Sequence, residues 1–341
     1  MRKPGIGVVA AFAAIGWLPR VGCHEVAEYE SYGSFGVGVL DLPGLTQEEP
    51  VIEGFEGGRC ICSMGADEFL VACTTGQVYL GDTDEMAVTA VHTVGQPFSS
   101  GYHDMIYASN HVAYLIGDYG QLIEFAPSSG VVIDEFSAGP RPSCLSLSVR
   151  PDRFFVGDGL DDRLREVAIP ENLVVRDRIL LSPPGSISRV FDQESMLVVV
   201  SQEEDGWRYL IDAGAVLYPW EYEGLEAGSD VAALDDSILY CVANPGYGSP
   251  AGNAEIVAFS HFPDTMRTTR LDLDGHPTRV AWVPETGTFY VSSPLGNGYS
   301  RIYAIDCLTA TITASIDVEG YVWDIAPHAF GEQLLYLTSS E

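Results

Sequence analysis

Short apolar runs recur along this chain, each bounded by turn residues. Residues 69–73, 111–116, 154–156, 196–200, 238–243, 288–291 and 334–338 are continuous apolar or aromatic stretches. Runs of this length, rich in β-branched and aromatic residues, predict strands covered on both faces. After six of them comes a stretch in which apolar and polar residues alternate: 77–80, 121–125, 163–168, 207–211, 255–259 and 301–305. Such alternation predicts a second strand with one less buried face. Gly and Pro cluster between the runs, as an all-β chain requires. Helix-period patterns are scarce beyond roughly the first 20 residues.

A glycine precedes each unit: Gly58, Gly101, Gly139, Gly185, Gly228, Gly275 and Gly320, at intervals of 38 to 47 residues. A strand-only repeat of about 40 residues predicts a β-propeller with one four-stranded blade per repeat. The expected fold is therefore all-β: a seven-bladed β-propeller with four antiparallel strands per blade. Six repeats are complete. The seventh has only residues 321–326 and 334–338. Residues 35–40 and 51–52 are expected to supply its missing strands. The last blade would then be closed by N-terminal strands, leaving no open edge in the ring.

The sixth repeat carries a further pattern. Phe289-Tyr-Val-Ser-Ser293 is followed by Arg301-Ile-Tyr-Ala-Ile-Asp306, Thr309, Ile312, Ile316 and Val318-Glu-Gly320. This resembles the repeat of YVTN-type β-propellers, in which a Tyr-Val-Thr-Asn strand precedes a strand ending Ile-Asp, a Thr turn and a strand ending Val-Gly. Leu40-Asp41 and Ile211-Asp212 echo the Ile-Asp element, and Glu124 and Glu166 echo it more weakly. The resemblance spans roughly residues 33–341. It implies the propeller architecture and no particular chemistry, since a propeller is a platform whose function lives in its site.

Charge changes the picture of partners. The 341 residues include 48 acidic and 17 basic ones, for a net charge of −31, and Lys3 is the sole lysine. Such a surface repels nucleic acid and anionic membrane and favours solubility or cationic partners. Residues 1–22 read as a signal peptide: Met1-Arg2-Lys3 is a positive start and residues 5–18 are apolar, too short to span a bilayer. Val21-Gly22-Cys23 resembles a bacterial lipobox, with Arg20 where Leu is usual, which makes Cys23 a lipidation candidate. Residues 23–32 read as a tether and 33–341 as the propeller domain. The expected location is the periplasm or cell surface, with membrane contact only through an N-terminal lipid anchor. Export implies an oxidising compartment. Cys60 and Cys73 flank a hairpin turn, and symmetric pairing would place them opposite each other as one disulfide. Buried free thiols are the competing reading for all six cysteines of the domain.

Candidate chemistry concentrates where the inner strands begin. Arg59, His103, Asp104, Arg141, Asp230, His276, Arg279, Tyr321 and Trp323 are candidates for a ligand site at the channel mouth. Tyr247 and Tyr299 lie in two Gly/Pro/Asn-rich stretches, 244–253 and 292–300, expected to form long neighbouring loops that raise a rim. Asp272-Leu-Asp274-Gly275 and Asp158 to Asp162 are acidic turns without a full calcium-ligand set. No nucleophile elbow, zinc-protease motif or phosphate loop is present. No catalytic residue, metal or cofactor is assigned. Besides a periplasmic redox or metal-handling partner, two function classes stay open. One is a non-catalytic exported propeller that binds a protein or cell-envelope ligand. The other is a propeller enzyme, a lactonase-like hydrolase or lyase with a His/Arg site at the channel mouth.

Overall fold

The computed structural model describes residues 34–95, 104–117, 121–137, 139–148, 150–158, 163–169, 171–179, 187–192, 196–201, 208–212, 217–220, 228–235, 238–243, 255–260 and 267–339, with side chains outside 173–270 and 49–50. In chain order, β1 (Ser34–Asp41) and β2 (Thr46–Glu56) come first. The first sheet is β3 (Gly58–Ser63), β4 (Glu68–Cys73), β5 (Gln77–Asp82) and β6 (Ala87–Thr93). The second is β7 (Asp104–Tyr107), β8 (Ala113–Ile116), β9 (Gln121–Ala126) and β10 (Val131–Ser137). The third is β11 (Pro142–Leu147), β12 (Arg153–Asp158), β13 (Arg163–Ala168) and β14 (Leu173–Ile179). The fourth is β15 (Ile187–Asp192), β16 (Met196–Ser201), β17 (Arg208–Asp212) and β18 (Leu217–Trp220). The fifth is β19 (Gly228–Asp235), β20 (Ile238–Ala243), β21 (Glu255–Ser260) and β22 (Arg267–Asp272). The sixth is β23 (Arg279–Val283), β24 (Thr288–Pro294), β25 (Tyr299–Asp306) and β26 (Thr311–Glu319). The chain ends with β27 (Tyr321–His328) and β28 (Gln333–Ser339).

Each of these sheets is an antiparallel meander, and the architecture is an all-β β-propeller. The inner strands are neighbours in the succession β3, β7, β11, β15, β19, β23 and β27, which returns to β3. Both chain ends share one sheet, of order β2-β1-β28-β27. In it Phe35 pairs with Ser339 and Asp41 with Gln333. The expected N-terminal strands thus lie beside the C-terminal ones, and both are longer than their apolar residues alone suggest.

The continuous apolar runs form the second strand of each sheet, and in β4, β8, β24 and β28 both faces of that strand are covered. Along β4, Phe69, Val71 and Cys73 pack with Phe35, Val37 and Leu337 of the closing sheet. Leu70 and Ala72, on the other face, pack with Leu115 and Phe125 of the second sheet. The period of two in a strand sends alternate side chains to opposite neighbours. Tyr114 and Ile116 repeat this against Phe154 and Val156. Each Val, Leu, Ile or Phe among them contributes roughly 1.5–3 kcal/mol when buried.

Two of the repeat glycines have a common cause. Gly275 and Gly320 adopt φ values of 85° and 88°. A Cβ there would come 2.3 Å from the carbonyl oxygen of Pro294 or of Ser339, where the second strand of the same sheet ends. The chain passes too close to that strand end for any side chain.

A second left-handed position was not visible in the sequence. The residue directly before the outer strand has positive φ in every sheet whose side chains are described: Leu45, Met86, Gly130, Asn172 and Ala310. Four of the five are not glycine, so the usual turn signal is missing.

Three expectations need correction. His111 is a turn residue with φ 63° and lies outside β8. The stretch 292–300 is not a long loop: β24 and β25 continue to the Pro294–Ser300 pair, leaving only residues 295–298 as the turn. Cys60 and Cys73 are free thiols. A register shift after Gly58 places Cys73 opposite Gly58 and Cys60 opposite Ala72. The two thiols then face different neighbouring sheets, Cys73 the closing sheet and Cys60 the second. Burial pushes the Cys60, Cys62 and Cys73 thiols upward, with nearby carboxylates adding to the effect, so all three are protonated at neutral pH.

Candidate functional site

The inner strands begin with an irregularity that re-aims side chains. A register shift precedes Cys60, Cys144, Arg189, Asp230 and Asp324 in five of them. Such a bulge turns the strand and redirects the residue that follows it. Asp104 and Arg279 stand at the corresponding first pairs of β7 and β23. By register, one level of the inner strands therefore carries Cys60, Asp104, Cys144, Arg189, Asp230, Arg279 and Asp324.

Two of these aspartates do the same structural job. Asp104 Oδ2 accepts the Leu145 N–H of the next sheet at 2.9 Å, and its Oδ1 accepts the Met105 N–H at 2.9 Å. Asp324 Oδ2 accepts the Ile61 N–H of the first sheet at 3.0 Å. Leu145 and Ile61 each follow a cysteine, Cys144 and Cys60. Each carboxylate thus satisfies a main-chain donor across the seam between neighbouring sheets. Arg279 of the sixth sheet adds to the second case, with its Nε 3.3 Å from Asp324 Oδ1. Both aspartates are buried. Asp104→Ala is expected to cost about 2 kcal/mol, because it strands a buried N–H that had a charged acceptor. Denaturant titration measures this, and a loss below about 0.5 kcal/mol would show that the Asp104 carboxylate does not hold the seam.

The aromatic candidates meet at the same entries. The Tyr321 and Trp323 rings are 4.8 Å apart. The Arg59 guanidinium sits 5.2 Å from the Trp323 ring centre, within the range of a cation–π contact. Trp323 is held by its Nε1–H, which donates to Ser339 Oγ at 3.0 Å. Tyr321 and Tyr299 are exposed, at 38% and 48%.

The remaining candidates do not join this group. Arg141 donates its main-chain N–H to Asp158 Oδ2 at 3.3 Å, beside the buried Asp158–Arg165 ion pair at 2.9 Å. His276 is exposed and its N–H donates to the Pro294 carbonyl at 3.0 Å. Asp230 lies on β19, but its side chain is outside the described residues. His103, Tyr247, Cys23, the stretch 244–253 and the segment 1–33 are also outside them. Of the two acidic turns, Asp274 and Asp158 are occupied by arginines: Arg301 Nη1 lies 2.6 Å from Asp274 Oδ2, and Arg165 holds Asp158. Among the described residues, no three His, Cys, Asp or Glu side chains are grouped to hold a metal ion.

A second polar cluster, at the opposite ends of the inner strands, escaped the sequence reading. His328, which ends β27, is 2% exposed. Its Nδ1 lies 2.8 Å from Ser63 Oγ and its Nε2 lies 3.2 Å from Thr83 Oγ1, both in the first sheet's part of the chain. Thr83 donates its hydroxyl to the Asp67 carbonyl at 3.2 Å. Ser63 likewise donates its hydroxyl to the Gly65 carbonyl at 3.1 Å, so either hydroxyl oxygen can accept from the ring, and the tautomer sets which ring N–H donates. Burial lowers the His328 pKa to about 4, against a weaker opposing effect of Asp82. His328 is therefore neutral across physiological pH. The side chains that it joins are far apart in sequence and form no motif.

Comparison with known proteins places the chain among propellers by shape alone. No protein-family model and no curated protein sequence matches it. Solved structures do. A chain of Kuenenia stuttgartiensis hydrazine synthase aligns with a TM-score of 0.67 at 13% identity, covering 84% of this chain and 94% of that one. RRP9 WD40 repeats align with a TM-score of 0.67 at 10% identity, over 89% and 97%. The Neurospora crassa Pan2 WD40 domain gives 0.64 at 11% identity, over 84% and 90%. At these identities the likeness is one of fold. The class is that of the β-propeller, with WD40 domains among its structural neighbours.

Proposed function

We propose that this protein is an exported, non-catalytic seven-bladed β-propeller of the YVTN type that serves as a binding or scaffold module at the bacterial cell envelope. The closed succession of inner strands and the shared closing sheet support the blade count. The leader-like residues 1–22 and the Gly22-Cys23 step support export and an N-terminal lipid anchor.

One observation carries the binding reading. The inner-strand entries of the first and closing sheets present an exposed Tyr321, backed by Trp323 and Arg59, on a rigid sheet framework. Large aromatics and arginine on a fixed surface are the residue types that dominate protein interfaces. The charged candidates nearby are engaged in holding the fold: Asp104 and Asp324 with main-chain donors, and Arg279 with Asp324. That is a structural duty rather than a nucleophile-and-base arrangement.

Two measurements test the reading. Mass spectrometry of the tagged full-length protein from envelope fractions should find an N-terminus processed at Cys23, and in-cell cross-linking should trap a defined protein or envelope component. An unprocessed chain in the cytoplasm overturns export. Lactone hydrolysis that disappears in Arg279→Ala and His276→Ala, with the fold intact, favours the enzyme reading instead.

A further inference from the structure

We propose that the rim formed by Tyr299, Glu319 and Tyr321 docks an arginine- or lysine-bearing segment of a partner protein; this rests on the binding-module reading and assigns that reading its surface.

The backbone brings these three residues together. β25 pairs with β26 so that Tyr299 stands opposite Glu319. Gly320, at φ 88°, then turns the chain directly into Tyr321. All three side chains are exposed, on the side where the inner strands begin. Tyr321 is not a loose ring, because it packs at a tilt of 54° against Trp323, which is itself tied to Ser339. A rigid aromatic loses little freedom when a partner covers it.

The aromatic row already holds a guanidinium. Arg59 sits over Trp323 at 5.2 Å. An arginine or lysine from outside would extend the same stacking onto Tyr321 and Tyr299, with Glu319 between them as the counter-charge. The surroundings select the sign of the partner. Arg301 is bracketed by Asp274 and Asp317, so with Glu319 this edge of the sixth sheet has three carboxylates to one arginine. The whole chain carries −31. Anionic ligands are repelled here, whereas a basic segment is steered in and then fixed by the rings.

The test uses the full-length protein and a short fluorescent oligo-arginine peptide, titrated by anisotropy at physiological ionic strength. Tyr299→Ala with Tyr321→Ala is expected to weaken binding about tenfold, and Glu319→Gln about threefold. Tyr321→Phe keeps the ring and should bind as the wild type does. Glu135→Gln, on the outer strand β10, makes the same charge change elsewhere and should alter binding less than about twofold. Circular dichroism melts establish that the variants fold; if the double alanine variant does not, Glu319→Gln against Glu135→Gln decides. The inference is overturned if the wild type ignores the peptide, or if the rim variants bind no more weakly than the Glu135 control. In either case an envelope partner still trapped by cross-linking keeps the binding-module reading alive. Loss of that partner with rim binding intact has the opposite meaning.

Discussion

A chain lacking residues 33–55 is expected to lose the cooperative unfolding of the propeller, with the C-terminal sheet failing first. The deletion removes β1 and nearly all of β2 and leaves β28 without its partner along the Phe35–Ser339 register. It also removes Phe35, Val37, Val39, Leu40, Ile52 and Phe55, all buried in the seams on either side of the closing sheet. At roughly 1.5–3 kcal/mol each, their loss is on the order of 10 kcal/mol, comparable to the whole stability of an ordinary domain. Thermal melts followed by circular dichroism and tryptophan emission measure the effect. A shortened chain that melts like the intact one would show that the closing sheet does not hold the ring.

Acidification should destabilise the protein through His328 well before its carboxylates are neutralised. The folded-state pKa of about 4 lies below the unfolded value of 6.5. As pH falls through 6.5 the unfolded chain takes up a proton that the folded chain refuses. Stability is therefore complete above pH 6.5 and is lost progressively down to about pH 4. The loss from this one group is about 2–3 kcal/mol, allowing for some solvent screening. Protonation would also make both ring nitrogens donors, so neither could accept a hydrogen bond. Urea titrations of the wild type and His328→Gln between pH 7.5 and 4 isolate the effect. The stability gap between the two proteins should shrink by that amount as pH falls. A gap independent of pH would refute this role for His328.

The strand plan was legible because it rests on repetition and on the burial of both faces. Val71, Tyr114 and Phe289 sit in runs that cannot be mistaken for surface, and Gly275 and Gly320 mark where the chain grazes a strand end. The failures have equally local causes. A single bulge after Gly58 moves Cys60 out of line with Cys73, and no residue type announces it. Leu45, Met86 and Ala310 take left-handed turns without the glycine that would have flagged them. The stretch 292–300 has loop composition, yet Tyr299 and Ser300 are paired strand residues because the neighbouring main chain satisfies their hydrogen bonds. For the site, Arg279, Tyr321, Trp323 and Arg59 were named from their place at the strand entries. The work of Asp104 and Asp324 was hidden, since their partners are main-chain N–H groups that any residue could supply. His328 was missed for a related reason: Ser63 and Thr83 become its neighbours only after the ring has closed.

The sharing of one sheet by both ends of the chain also sets a timetable for synthesis. Among the strands of the propeller, β1 leaves the ribosome before all others and its partner β28 after all others. Until then the early sheets have neighbours only on one side, and the apolar faces of β1 and β4 await covering. Ring completion is thus a late event of high contact order, and the cell must keep an incomplete, edge-exposed chain from aggregating while the remaining sheets are made.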